Sequence, residues 1–229
     1  IKKAGFEING VEFSGNSSDG FDGDWVSGKI LNSHFHNNGN DGVDVSGSKI
    51  VIENTAFANM GDKALSAGEQ SQVDVINSRF YSSNYGLVAK DLSNVRVYAS
   101  SIYNNNIGVA AYRKKPVFGG GRISIFGGLV WKNNADFIGD GASSIYIQDV
   151  GVEYAPKNEF ILSKNLRIGD ISKTYHFDEN GNPVLINPKN LPSVFKKGPL
   201  TSGQSIAGDE LPNLSNMPLG MMKPLNIAP

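Results

Sequence analysis

The chain reads as an all-β protein, a right-handed parallel β-helix with about 22 residues per coil and roughly seven coils, and three observations lead to that class. First, a β-branched residue is followed five positions later by a bulky apolar one, again and again: Ile8 with Phe13, Ile30 with Phe35, Ile52 with Phe57, Val75 with Phe80, Val97 with Ile102, Ile125 with Val130, and Ile147 with Val152. The second members are separated by 22, 22, 23, 22, 28 and 22 residues. Second, an apolar residue two positions before the β-branched one, at Ile50, Val73, Val95, Ile123 and Ile145, supplies the alternation of short strands with one buried face. Third, each unit is too short to hold a strand and a helix. A leucine-rich repeat would need leucines that these units lack, and a propeller blade needs about 40 residues.

The elements follow in chain order. Residues 1–154 form the solenoid, and Phe21, Val43, Leu65, Leu87 and Val109 make a second inward column. Asn32, Asn54 and Asn77 each precede the aromatic by three positions, so they stack at one turn, where side-chain amides can bond coil to coil. The 28-residue interval is one period plus six, and the surplus falls in 113–121, Arg-Lys-Lys-Pro-Val-Phe-Gly-Gly-Gly, a loop thrown out from one turn. The periodicity stops at Val152. In residues 155–196, rich in proline, Asp178 to Pro183 reads as a hairpin turn between Thr174–Phe177 and Val184–Ile186, giving a small β element or cap. Residues 197–229 read as an extended tail.

Composition excludes several function classes. With 21 basic and 22 acidic residues the net charge is -1, which leaves no electrostatic footprint for nucleic acid. There is no cysteine, hence neither disulfide nor thiolate chemistry. No apolar run approaches the roughly 20 residues that cross a bilayer, so no membrane insertion is expected. The chain starts at Ile1 without a methionine, as a processed or trimmed chain would.

The residues that carry chemistry fall into columns, because the same position on successive coils recurs about every 4.8 Å. Asp19, Asp41, Lys63, Tyr85 and Ile107 form one column, and Asp22, Asp44, Ser66, Val88 and Ala110 form another; both are expected to face solvent. Four stacked aspartates repel one another unless a cation intervenes, and Ca2+ takes six to eight oxygens in tolerant geometry. Asp19, Asp22, Asn40, Asp41 and Asp44 are therefore the candidate metal ligands, and Ca2+ the candidate cofactor. The alternative is turn chemistry, with the carboxylates in water or paired with Lys63. A uronate polymer has an acidic proton beside its carboxylate, which a lysine of lowered pKa can remove. Lys63 and Lys90 are the candidate bases, with Tyr112 or Arg113 on the other side of the sugar. Against this stands a plain ion-pair ladder, Lys90 with Glu69 and Lys63 with Asp41. His34 and His36 alternate on one strand with no carboxylate spacing that completes a zinc motif, and read as surface residues. Trp25, Tyr81, Tyr85, Tyr98, Tyr103 and Trp131 are sugar-stacking platforms if exposed and core caps if not.

The run Asp19-Gly20-Phe21 followed by Asn40-Asp41-Gly42-Val43-Asp44 resembles the calcium-binding coils of pectate lyases of polysaccharide lyase family 9. That resemblance implies metal ligation by Asp19, Asn40, Asp41 and Asp44, with Asn40 where the family has an aspartate. It places Ser66 where the family has its lysine base, Lys63 lying three residues earlier. A longer stretch, Ser18 to Gly121, is similar to β-helix regions of bacterial surface proteins that also carry spore-coat-kinase-type domains. It includes Gly42-Val43-Asp44-Val45-Ser46-Gly47-Ser48, Gly61-Asp62-Lys63 and Ala110-Ala111-Tyr112-Arg113-Lys114-Lys115. This second resemblance implies a secreted, extracellular or cell-surface location and no particular reaction. The expectation is a protein that binds or cleaves acidic polysaccharide. Two rivals remain: a non-enzymatic structural or adhesive solenoid that docks on a cell-surface partner, and a glycoside hydrolase using two of the aspartates.

Overall fold

The computed structural model of the protein describes residues 1–169, 175–177 and 183–185. All of them fall in one compact unit, Ile1–Asn187; the second unit, Pro188–Pro229, lies outside the described residues and with it the expected tail.

Three parallel sheets run the length of a right-handed β-solenoid, and no helix occurs among the described residues. The first sheet has eight strands, Gly5–Asn9, Ser27–Leu31, Lys49–Glu53, Gln72–Ile76, Asn94–Tyr98, Arg122–Phe126, Ser144–Gln148 and Ile161–Lys164. The second also has eight, of two or three residues each, from Glu12–Ser14 to Arg167–Ile168. The third has six: Phe21–Asp24, Val43–Ser46, Lys63–Gly68, Tyr85–Lys90, Ile107–Tyr112 and Ala135–Gly139. Each sequence period is thus three short strands and three turns.

Register follows the apolar pattern. Ile8, Ile30, Ile52, Val75, Val97, Ile125 and Ile147 face one another down the first sheet. A one-residue slip would turn every one of them outward, which is why the repeat holds its phase. In the second sheet Phe13, Phe35, Phe57 and Phe80 stack ring on ring at 4.7, 5.0 and 4.9 Å between centroids. The third sheet contributes Phe21, Val43, Leu65, Leu87 and Val109, all buried. Burial of each such side chain is worth about 1.5–3 kcal/mol.

The turns are held by side chains repeating at the same period. Asn32, Asn54 and Asn77 adopt left-handed φ of 49°, 49° and 45° and pass hydrogen bonds down the stack: Asn77 Nδ2 donates to Asn54 Oδ1 at 2.7 Å, and Asn54 Nδ2 to Asn32 Oδ1 at 3.2 Å. Asn tolerates that backbone better than most residues. Beside this ladder runs a buried hydroxyl ladder that the sequence reading did not single out. The amides of Ser33, Thr55 and Ser78 donate to the hydroxyls of Thr55, Ser78 and Ser100 on the next coil, at 3.4, 3.1 and 3.0 Å.

Past residue 154, where the periodicity ends, Ile161–Lys164 still pairs with Ser144–Gln148, and Arg167–Ile168 with Gly151–Val152. Among the described residues this coil adds no strand to the third sheet, and it carries Pro156; the step from Ile145 to its partner Ile161 is shorter than the period, so the repeat does not reveal it. Tyr175–Phe177 pairs antiparallel with Pro183–Leu185, where the hairpin was expected.

Candidate functional site

The outer face of the third sheet collects the candidate residues. Asp22 faces Asp44 in register, and Asp44 faces Ser66, followed by Val88 and Ala110. Along the edge nearest the second sheet lie Asp41, Lys63 and Tyr85. The expectation that these columns face solvent holds for Asp22 but fails for Asp41, which is 2% exposed, and for Ser66, Val88 and Ala110, each 0% exposed; Lys90, on the same face, is 7% exposed. Long side chains folded back along the stack account for part of this. Lys90 Cε lies where a Cβ on Gly68 would stand, so the glycine at that position lets the lysine reach down one coil.

Its ammonium then donates to Ser66 Oγ at 2.9 Å and sits 3.8 Å from Asp44 Oδ1, which is buried and accepts no hydrogen bond. Burial pulls the Lys90 pKa below the ordinary lysine value. The Asp44 carboxylate opposes that shift, and the ammoniums of Lys114 and Lys63 reinforce it. Lys63 behaves differently. Burial lowers its pKa too, but the hydrogen bond that its ammonium donates to Asp62 and the charges of Asp41 and Asp62 outweigh burial and raise it. Its partner Asp41 is also raised, because burial there exceeds the lowering by the Lys63 amide and ammonium. The two directions are compatible, since Asp62 rather than Asp41 is the chief acceptor for Lys63. Tyr112, half-buried, is raised by burial against the opposing charge of Lys63. Three of the four predicted catalytic residues, Lys63, Lys90 and Tyr112, therefore share one electrostatic cluster.

Arg113 does not join it. Its side chain is exposed, and its backbone amide donates to Asp140 Oδ2 at 2.7 Å. The amides of Lys114 and Lys115 both donate to Asp91 Oδ1 at 2.7 Å, and the Lys115 ammonium pairs with Glu69 two coils down. Carboxylates on three coils thus hold the inserted loop against the edge of the sheet.

The candidate metal ligands divide into two groups. Asp19 Oδ1 accepts from Asn40 Nδ2 at 2.7 Å and from the Asp41 amide at 2.9 Å, and Asp41 Oδ1 accepts from the Lys63 amide at 2.9 Å. These are coil-to-coil caps. Asp22 and Asp44 remain as the open pair, and burial followed by the charges of Asp24, Asp44 and Asp19 raises the pKa of Asp22. Among the described residues no group of three or more histidines, aspartates or glutamates stands close enough to hold a metal ion. His36 Nε2 lies 2.6 Å from Glu12 Oε1, one coil earlier, and His34 has its pKa lowered by burial and then by His36.

Sequence reasoning missed Asp62 as a partner of Lys63, and Asp91 as the anchor of the loop. The first was legible in the adjacency Asp62-Lys63. The second left no signal, because its partners are backbone amides. A family model described as a right handed β-helix region matches residues 2–166. No curated protein and no solved structure matches the chain.

Proposed function

We propose, from the premise that the chain belongs to the right-handed β-helix family, that it binds an acidic polysaccharide along the outer face of the third sheet and cleaves it by β-elimination. The observation that carries this reading is the buried amine of Lys90, held between Ser66 Oγ and Asp44 with its pKa lowered. Once it has lost its proton, an amine at that place is a general base. It takes the proton beside a uronate carboxylate, the C–O bond to the next sugar breaks, and a C=C bond forms. The departing oxygen takes a proton from Tyr112 or from water. Asp22 and Asp44 supply only two carboxylates; with the substrate's own carboxylate they would make a Ca2+ shell, and such a cation would acidify the proton to be removed. Substrates of this kind belong outside the cell, which accords with an extracellular or cell-surface place of action.

The test is formation of an ultraviolet-absorbing unsaturated product from polygalacturonate, alginate or chondroitin sulfate, with and without chelator. Lys90→Met should lower the rate about a hundredfold or more. The parent rate should rise with pH and level off below the ordinary lysine value of 10.5. No product from any of these polymers refutes cleavage, and product without chelator sensitivity refutes the cation.

A second reading, a non-enzymatic solenoid, is favoured by one observation: the carboxylates of Asp19 and Asp41 cap the backbone of the following coil. On that reading Lys90→Met leaves partner binding unchanged.

A further inference from the structure

The chain leaves the third sheet for the first through a residue with left-handed backbone, and this recurs coil after coil: Lys3 at φ 50°, Trp25 at 51°, Gly47 at 60°, Glu69 at 55° and Asp91 at 55°. Glycine takes that conformation freely, and aspartate or asparagine tolerates it, but a bulky aromatic there is an outlier. Trp25 takes that conformation while 51% exposed.

Its surroundings are built around the ring. The indole lies across the next turn, where a Cβ on Gly47 would come within 2.7 Å of Cδ1 and 2.8 Å of Nε1; the bare glycine is its seat. Lys2 Nζ and Lys3 Nζ stand 5.0 and 5.9 Å from the ring centroid. Lys2 Nζ is also 3.8 Å from Asp24 Oδ2. The result is a half-exposed indole with two ammonium groups over its ring and a carboxylate beside one of them. It stands at the edge of the face that carries Asp22 and Asp44.

We infer that Trp25, with Lys2 and Lys3, is a stacking subsite for an anionic sugar residue of a polysaccharide chain. A pyranose has an apolar C–H face that suits an indole and a hydroxyl rim that suits Asp24. A carboxylate or sulfate on the ring meets the two lysines. A planar, rigid side chain binds at low entropic cost, which a flexible residue at this turn would not. The subsite rests on the polysaccharide reading, and it is distinct from Lys90, so the two can fail separately.

Trp25 and Trp131 are the two tryptophans of the chain. In a Trp131→Phe variant, emission therefore reports Trp25 alone. Titration with polygalacturonate, alginate and chondroitin sulfate, and with neutral dextran, should change that emission saturably for an anionic polymer and not for dextran. Trp25→Gly should weaken binding of that polymer about tenfold, measured by calorimetry, and leave the thermal midpoint unchanged or raised, because glycine suits φ 51°. Polymer binding with unaltered Trp25 emission and unaltered affinity in Trp25→Gly overturns the subsite and leaves the polysaccharide reading standing. A lowered midpoint in Trp25→Gly together with unaltered polymer affinity identifies a purely structural turn and overturns it as well. No binding of any anionic polymer overturns both.

Discussion

Asp41 and Lys90 are both buried on the same face, yet their neighbours divide their roles. Asp41 caps the Lys63 amide and lies 3.5 Å from the Lys63 ammonium, whereas the Lys90 ammonium donates to a neutral hydroxyl. Burial raises the Asp41 pKa above the ordinary value of 3.8. The native protein therefore holds that proton more tightly than the unfolded chain does. The stabilising contribution is present below about pH 3.8 and fades as pH rises through the native pKa. Asp41→Asn keeps an acceptor for the Lys63 amide and removes the titration. Its stability relative to the parent should climb as pH rises above about 3.8, in urea titrations at a series of pH values. A difference independent of pH would show that Asp41 does not titrate in this way. Lys63 itself needs no such change to stay charged, since Asp62 holds it.

At the scale of single elements, the inserted loop 113–121 carries the clearest prediction. It has a surplus of six residues over the period and carries Val117, 85% exposed, with the buried Asp91 holding two of its amides. A hydrogen bond to a charged group is worth about 1.5–3 kcal/mol, and less where water can replace the acceptor. Asp91→Ala should release the loop locally, so that trypsin cuts after Arg113 and Lys114 faster than in the parent while the coils stay resistant. Equal cutting rates would mean that the Glu69–Lys115 pair and the Asp140 contact hold it alone. The amide and hydroxyl ladders are the same device repeated at the other turns, and each rung satisfies a backbone or side-chain group that the turn would otherwise leave open.

For the whole molecule, stability is the sum of coils and the contacts between adjacent coils. Phe57 is fully buried between Phe35 and Phe80, so Phe57→Ala removes two ring stacks at the middle of the column. The expected loss is about 3–5 kcal/mol, read from the urea midpoint. A loss under about 1 kcal/mol would mean that the stack collapses to fill the space. The solenoid was legible in the sequence because parallel pairing makes neighbours of residues one period apart, so a pattern in the chain becomes a column in space. Ile52 with Phe57, Asn54 and Val43 could each be placed inward or at a turn from spacing alone, and the structure puts them there. The shortened coil at Ile161–Lys164 could not, since it has no period to betray it. The candidate site was legible only as far as the Cβ atoms. Spacing set which strand carries Lys90, Asp44 and Ser66, and the tertiary structure decided that the Lys90 amine crosses the bare Gly68 to reach the other two. The tip of a lysine has about the reach of one coil spacing, so its end can choose among neighbours on several coils. Only the packing around it makes that choice, as it does when Lys115 reaches Glu69 and when Trp25 lies down on Gly47.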